Sequence, residues 1–185
     1  PDSIGFMRCN PSVGGTAKGH LVREIDALGG EMGLNADRAT LQIRMLNRGK
    51  GAAVQSLRAQ TDKNLYHREM KKVLEHTKNL RIVQGEAAEI ITEKGKVTGV
   101  RTTYGGIFSC RAVVVATGVY LNARTITGEV VKDSGPNGFE RATALTENLI
   151  ALGYSVRRFK TGTPARLDGR TVDSSLLTVQ NGEEV

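Results

Sequence analysis

The feature that most constrains this chain is a change of hydrophobic period between residues 80 and 118. Leu80–Val83 has the composition of a short strand, and three more such runs follow: Ala88–Glu93, Val97–Tyr104 and Ile107–Ala112. Lys94-Gly95-Lys96 and Gly105-Gly106 separate them with tight-turn chemistry, which predicts an antiparallel meander. The last run leads directly into Ala112–Ala116, apolar throughout and ending in Ala116-Thr117-Gly118. An unalternating run of that length predicts a strand buried on both faces, as in the parallel sheet of an α/β fold.

A meander that crosses over to a buried parallel strand is the back half of an FAD-binding dinucleotide domain, Rossmann-like and of glutathione-reductase type. Such a strand delivers its last residues, here Thr117 and Gly118, to the sheet edge where cofactor collects. Gly118 alone could simply end a strand. The meander ahead of it favours the cofactor reading, because only a residue without Cβ lets backbone approach a ligand closely.

Helices are predicted on either side. Leu21, Val22, Ile25 and Leu28 recur with helical spacing and stop at Gly29-Gly30. Arg58–His76 reads as a second helix with Tyr66, Met70, Val73 and Leu74 on one face, and Leu145, Leu149 and Leu152 mark a third, closed by Gly153. Tyr154–Phe159 reads as a strand, and Asn10–Gly15 as a loop. No Gly-x-Gly-x-x-Gly follows a first strand. The nearest sequence, Gly49-Lys50-Gly51-Ala52-Ala53-Val54, lacks the third glycine. The expectation is an incomplete FAD-binding domain over 1–164, its first βαβ arm missing, followed at Lys160–Pro164 by a junction. Residues 165–185 would begin an inserted second domain.

Function classes are narrowed by what the residues lack. No run of about 18 apolar residues exists, so no membrane-spanning helix is expected. Cys9 and Cys110 are the only cysteines, and with His20, His67 and His76 they show no zinc-ligand spacing, so neither a disulfide framework nor a metal site is expected. A reducing cytoplasm is the default compartment. Lys and Arg number 26 against 19 acids, a net charge of +7. The excess is local: Arg44, Arg48, Lys50, Arg58, Lys63, Arg68, Lys71 and Lys72 face only Asp62 and Glu69 over that stretch. The stripe suits a polyanion or a solvated helix face equally.

Two motifs carry candidate chemistry. Gly14-Gly15-Thr16-Ala17-Lys18-Gly19 has the glycine spacing of a P-loop, but His20-Leu21 stands where that motif needs Lys and Ser/Thr. Its amides and Lys18 could meet an anion at a helix start, or the glycines could merely turn the chain. Cys9 lies in a polar loop beside Arg8, a setting in which thiols become nucleophiles, although the residues by themselves favour an inert loop thiol. Cys110 alternates with Phe108 and Ala112 on the inner face of a predicted strand, as a small core residue.

Taken together, Cys9–Gly15, Lys18–Gly30, Gly51-Ala52-Ala53-Val54 with Arg58-Ala59-Gln60, and Lys160-Thr161-Gly162-Thr163-Pro164-Ala165-Arg166 with Asp168 and Asp173 closely resemble the GidA/MnmG family. The similarity runs over essentially the whole chain. It implies an internal fragment of an FAD-dependent homodimer that works with the GTPase partner MnmE on transfer RNA. The implied reaction adds a (carboxymethyl)aminomethyl group at C5 of the wobble uridine, with 5,10-methylenetetrahydrofolate as carbon source and NADH as reductant. Cys9 matches a catalytic cysteine of the family. Ala87 and Ala142 fall where the family contacts FAD, alongside the cofactor candidates Gly14, Gly15, Lys18, Gly19, Thr117 and Gly118. Ala142 replaces what is often serine. Residues 165–185 would open the NADH-binding domain. Arg44, Arg48, Lys50, Arg58, Lys160 and Arg166 are the expected RNA contacts. The fragment by itself is expected to be inactive. Rival readings are the folate- and FAD-dependent tRNA uridine methyltransferase, a flavin oxidoreductase acting on a small molecule, and a non-catalytic RNA-binding fragment.

Overall fold

The computed structural model describes residues 2–183. They fall into two units: residues up to Ile82 together with those from Thr161 on, and Val83–Lys160.

The first unit is built on a three-stranded antiparallel sheet of β1 (Ser12–Gly14), β2 (Thr40–Leu46) and β3 (Ser56–Thr61), in the order β1-β3-β2. Helices α1 (Lys18–Ala27), α2 (Glu31–Ala39) and α3 (Lys63–His76) complete it. The turn between α1 and α2 is a Schellman motif, in which the Gly29 amide donates to Asp26 and the Gly30 amide to Ile25. Helix α3 starts at Asp62, whose side chain accepts from the amides of Asn64 and Leu65 and so satisfies two otherwise orphaned donors. Val13, Ala36, Ala39 and Tyr66 form the core, with Met7, Val22, Leu65 and Met70 packed around it. Asn35 is wholly buried there and donates from Nδ2 to the Tyr66 carbonyl at 2.9 Å. Burial also pushes the Tyr66 hydroxyl above its ordinary pKa, against the opposing effect of a hydrogen bond with Asn35.

The second unit holds the expected meander: β4 (Ala87–Glu93), β5 (Lys96–Thr102) and β6 (Ile107–Ser109), paired antiparallel in chain order. Helix α4 (Ala144–Ala151) packs on β4, burying Leu145, and Asn148 Oδ1 accepts from the Ile90 amide at 2.9 Å. A hairpin of β7 (Thr125–Thr127) and β8 (Val130–Lys132) lies between them in sequence.

Several sequence expectations need correction. Ala112–Ala116 is not a buried strand: it joins no ladder, and Val114 is 90% exposed. Its apolar residues meet the requirement for burial, but no strand lies beside it among the described residues. Cys110 is half-buried rather than core, and Phe108 is exposed. Leu80–Val83 and Tyr154–Phe159 likewise pair with nothing among the described residues. Arg58 belongs to β3 and not to a helix, because its backbone is paired between Gly14 of β1 and Arg44 of β2. The Asn10–Gly15 loop contains β1. Residues from Thr161 on group with the first unit. The expected second domain at 165–185 includes Glu184 and Val185, which lie outside the described residues, as Pro1 does for the expected first domain.

Candidate functional site

The glycine loop after β1 is occupied by its own chain. Gly14 has φ +96°, and a Cβ there would run into the Leu57 carbonyl of β3. The Gly15 amide donates to that same carbonyl at 2.8 Å, the Lys18 amide to Thr16 at 2.8 Å and the Gly19 amide to Gly15 at 2.6 Å. Ser56 Oγ donates back to the Gly15 carbonyl at 2.8 Å. Gly14 and Gly19 are therefore required by close packing against β3, where a Cβ would run into the Leu57 carbonyl or the Ser56 side chain. Thr16, Ala17 and Lys18 are the exposed residues of this loop.

Cys9 lies just ahead of β1, half-buried, with its sulfur 3.9 Å from the Thr161 hydroxyl. The Lys160–Arg166 stretch, expected as a junction, thus comes back to the thiol. On the neighbouring residues, Arg8 Cζ sits 5.4 Å from the Phe6 ring centre and Lys63 Nζ sits 3.8 Å from it. Both are cation–π distances. Burial lowers the pKa of the Arg8 guanidinium. Lys63 is also held below its usual range, first by burial and then by the positive charges of Arg166 and Arg8.

The basic stripe divides. Arg44 and Arg58 face each other across β2 and β3, an arrangement of like charges that needs outside compensation. Arg44 donates to Gln180 Oε1, and Arg48 pairs with Glu183. Lys50 is exposed in the loop after β2. Arg166 is exposed in the first unit, whereas Lys160 ends the second. Lys63 and Arg8 were not among the expected RNA contacts. Spacing along α3 could not reveal them, because the loop before β1 is what brings Arg8 to Lys63.

The remaining cofactor candidates all lie in the second unit. Gly118 has φ +59° and open space where a Cβ would stand. Two residues on, the Tyr120 carbonyl accepts from the Ala142 amide at 3.0 Å, and the Asn122 amide donates to the Ala142 carbonyl at 2.8 Å. This bridge ties the Thr117–Gly118 segment to the start of α4, which packs on the strand that begins at Ala87. Ala87, Gly118 and Ala142 present little or no side chain, which fits a site where a flat cofactor approaches backbone. No group of three or more metal-ligating side chains occurs among the described residues, and no helix among them is long and apolar enough to cross a membrane.

A family model described as "Glucose inhibited division protein A" matches residues 1–185. Among curated proteins, the chain is 56% identical to the tRNA uridine 5-carboxymethylaminomethyl modification enzyme MnmG of Lachnoclostridium phytofermentans, over 99% of this chain and 29% of that protein. It is 59% identical to the MnmG of Caldicellulosiruptor saccharolyticus, over 100% of this chain and 29% of the relative. Among solved structures, Aquifex aeolicus GidA matches with a TM-score of 0.90 and 49% identity, over 98% of this chain and 30% of that one. The chain thus spans under a third of the length of these relatives.

Proposed function

The chain belongs to the glucose-inhibited division protein A (GidA) family, and on that premise we propose that the polypeptide carrying it modifies the wobble uridine of transfer RNA. The supporting observation is the end-to-end similarity to relatives named as tRNA uridine modification enzymes. The product would carry a (carboxymethyl)aminomethyl group at C5, with 5,10-methylenetetrahydrofolate supplying carbon, NADH supplying electrons and the GTPase MnmE as partner to a homodimer. Residues from 165 on would lead into the NADH-binding part.

Cys9 is the proposed nucleophile. Uracil C5 reacts poorly with electrophiles until something adds at C6, and a thiolate is the soft nucleophile suited to that addition. The sulfur electron pair forms the S–C6 bond, and the C5–C6 π pair shifts toward the C4 carbonyl, leaving C5 nucleophilic. After C5 gains its substituent and loses its proton, expulsion of the thiolate restores the ring. The Thr161 hydroxyl, 3.9 Å from the sulfur, would orient it. FAD would supply hydride or one-carbon transfer when bound. Ala87, Thr117, Gly118 and Ala142 would hold it, and the open space over Gly118 supports that assignment. Arg44, Arg48, Lys50, Arg58, Lys160 and Arg166 would meet RNA phosphates, offsetting the cost of splaying out the anticodon base, on the order of a few kcal/mol.

Cys9→Ser in the full polypeptide tests the reading. Nucleosides from modified tRNA, separated by mass, are expected to lose the wobble product while tRNA binding persists. Product formation at the wild-type rate would sink the proposal.

A further inference from the structure

Residues 180–183 lie along the outer edge of β2. The Glu183 amide donates to the Ile43 carbonyl at 2.8 Å, Gln42 Nε2 to the Gln180 carbonyl at 2.7 Å, and the Met45 amide to the Glu183 carboxylate at 2.9 Å. A Cβ on Gly182 would stand 3.0 Å from Gln42 Cγ and 3.2 Å from the Ile43 carbonyl oxygen, so this close approach needs glycine. The same segment occupies two arginines: Gln180 accepts from Arg44, and Glu183 pairs with Arg48. Three observations make it easy to release. Every residue from Thr161 to Gly182 is exposed, so no buried side chain anchors the stretch that leads to it. A cleft of about 370 Å³ is lined by Thr40–Ile43 and Gln180–Glu183. The Arg48 side chain is 67% exposed, and ion pairs so open to water are weak. The backbone that carries the arginines is held independently. Arg44 is paired opposite Arg58 in the sheet, and Gln55 Nε2 fixes the loop after β2 by donating to the Arg48 carbonyl at 3.3 Å and the Lys50 carbonyl at 3.1 Å.

We propose that residues 180–183 are a displaceable strap that competes with RNA phosphates for Arg44 and Arg48, so that RNA binding and release of the strap from β2 are coupled. Gln180 gives Arg44 a neutral amide oxygen, which does not offset the like charge of Arg58 across the ladder. A phosphate offers a guanidinium two charged oxygens and is the stronger partner. With RNA absent, the strap keeps the two arginines engaged and the β2 edge covered. The inference rests on the reading of Arg44 and Arg48 as RNA contacts and is independent of the chemistry at Cys9.

Hydrogen exchange and RNA binding by the full polypeptide test it, with an anticodon stem-loop RNA as the probe at low salt. Saturating RNA is expected to accelerate exchange of the Met45 and Glu183 amides about fivefold, and linkage requires that loosening the strap tighten RNA binding by a similar factor. Gly182→Val, which crowds β2 without changing charge, and Glu183→Gln, which releases Arg48, should each show that gain. Arg44→Ala combined with Arg48→Ala should weaken RNA binding and abolish the exchange response. RNA whose binding needs both arginines, yet leaves the two amides exchanging at their RNA-free rate or more slowly, would overturn the strap. That exchange is read on the wild-type protein and needs no strap variant to fold. Unchanged RNA affinity in both strap variants would overturn it as well. RNA binding indifferent to the arginine pair would instead remove the RNA contacts themselves, and the competition with them. Neither readout involves turnover, so failure here is distinguishable from failure of the proposed reaction.

Discussion

Gly14 and Gly118 share a left-handed backbone, yet they serve different ends. At Gly14 any side chain meets the Leu57 carbonyl, so the glycine is fixed by contact between β1 and β3. At Gly118 there is open space, and the glycine is fixed only by its backbone angle or by something that approaches from outside. Gly95, in the β4–β5 turn, has φ +74° and is also open. Gly95→Ala is therefore expected to cost only the left-handed penalty, about 1–2 kcal/mol. Gly14→Ala adds a backbone collision to that and should cost more than about 3 kcal/mol. Urea unfolding of the two variants beside the parent checks the order, and equal losses would refute it. Gly118→Ala should behave like Gly95→Ala in stability, while on the FAD proposal it weakens flavin retention.

At the scale of elements, the edge strand β2 is covered on its outer side by residues 180–183. The Glu183 amide donates to the Ile43 carbonyl at 2.8 Å, and the Glu183 carboxylate accepts from the Met45 amide at 2.9 Å. That amide hydrogen bond, aided by Arg48 and Arg44, holds the Glu183 carboxyl below its ordinary pKa, against a smaller effect of burial. A depressed folded-state pKa means that the ionised form stabilises docking. The contribution is complete above the ordinary glutamate pKa and disappears as pH falls through the lower, folded value. Hydrogen exchange at the Met45 amide, corrected for its intrinsic pH dependence, should accelerate over that acid window. Glu183→Gln should remove the acceleration, and an unaltered profile would refute the role of the carboxylate. This strap also engages Arg44 and Arg48, two of the proposed RNA contacts. Their engagement joins residues some 136 positions apart, which no local pattern could show.

At the scale of the whole molecule, large apolar side chains remain exposed in each of the two units. Val114, Leu41 and Phe159 are among many large apolar residues left in water. Exposed apolar area of this kind favours binding of hydrophobic dyes and weakens cooperative unfolding. The 185 residues expressed alone are expected to enhance the fluorescence of anilinonaphthalene sulfonate under native conditions. The full polypeptide should do so much less. Dye binding as low for the 185 residues as for an ordinary monomer would count against this view.

The meander and α4 were legible from the sequence because their determinants are local: turn residues at Lys94-Gly95 and Gly105-Gly106, a period of two, and leucines in helical register up to Gly153. α1 and its glycine stop were legible for the same reason, as was the family, through runs too long to be generic. Strand β3, by contrast, reads as helix from Arg58 on. Its extended backbone is fixed only by pairing with β1 and β2 on either side. Ala112–Ala116 failed the other way, since local apolarity predicts burial but a strand also needs a neighbour to receive its hydrogen bonds. The approach of Thr161 to Cys9, and of Arg8 and Lys63 to the Phe6 ring, was decided by tertiary structure alone. It joins chain segments whose separation in sequence carries no periodicity, and Coulomb interactions depend on distance through space.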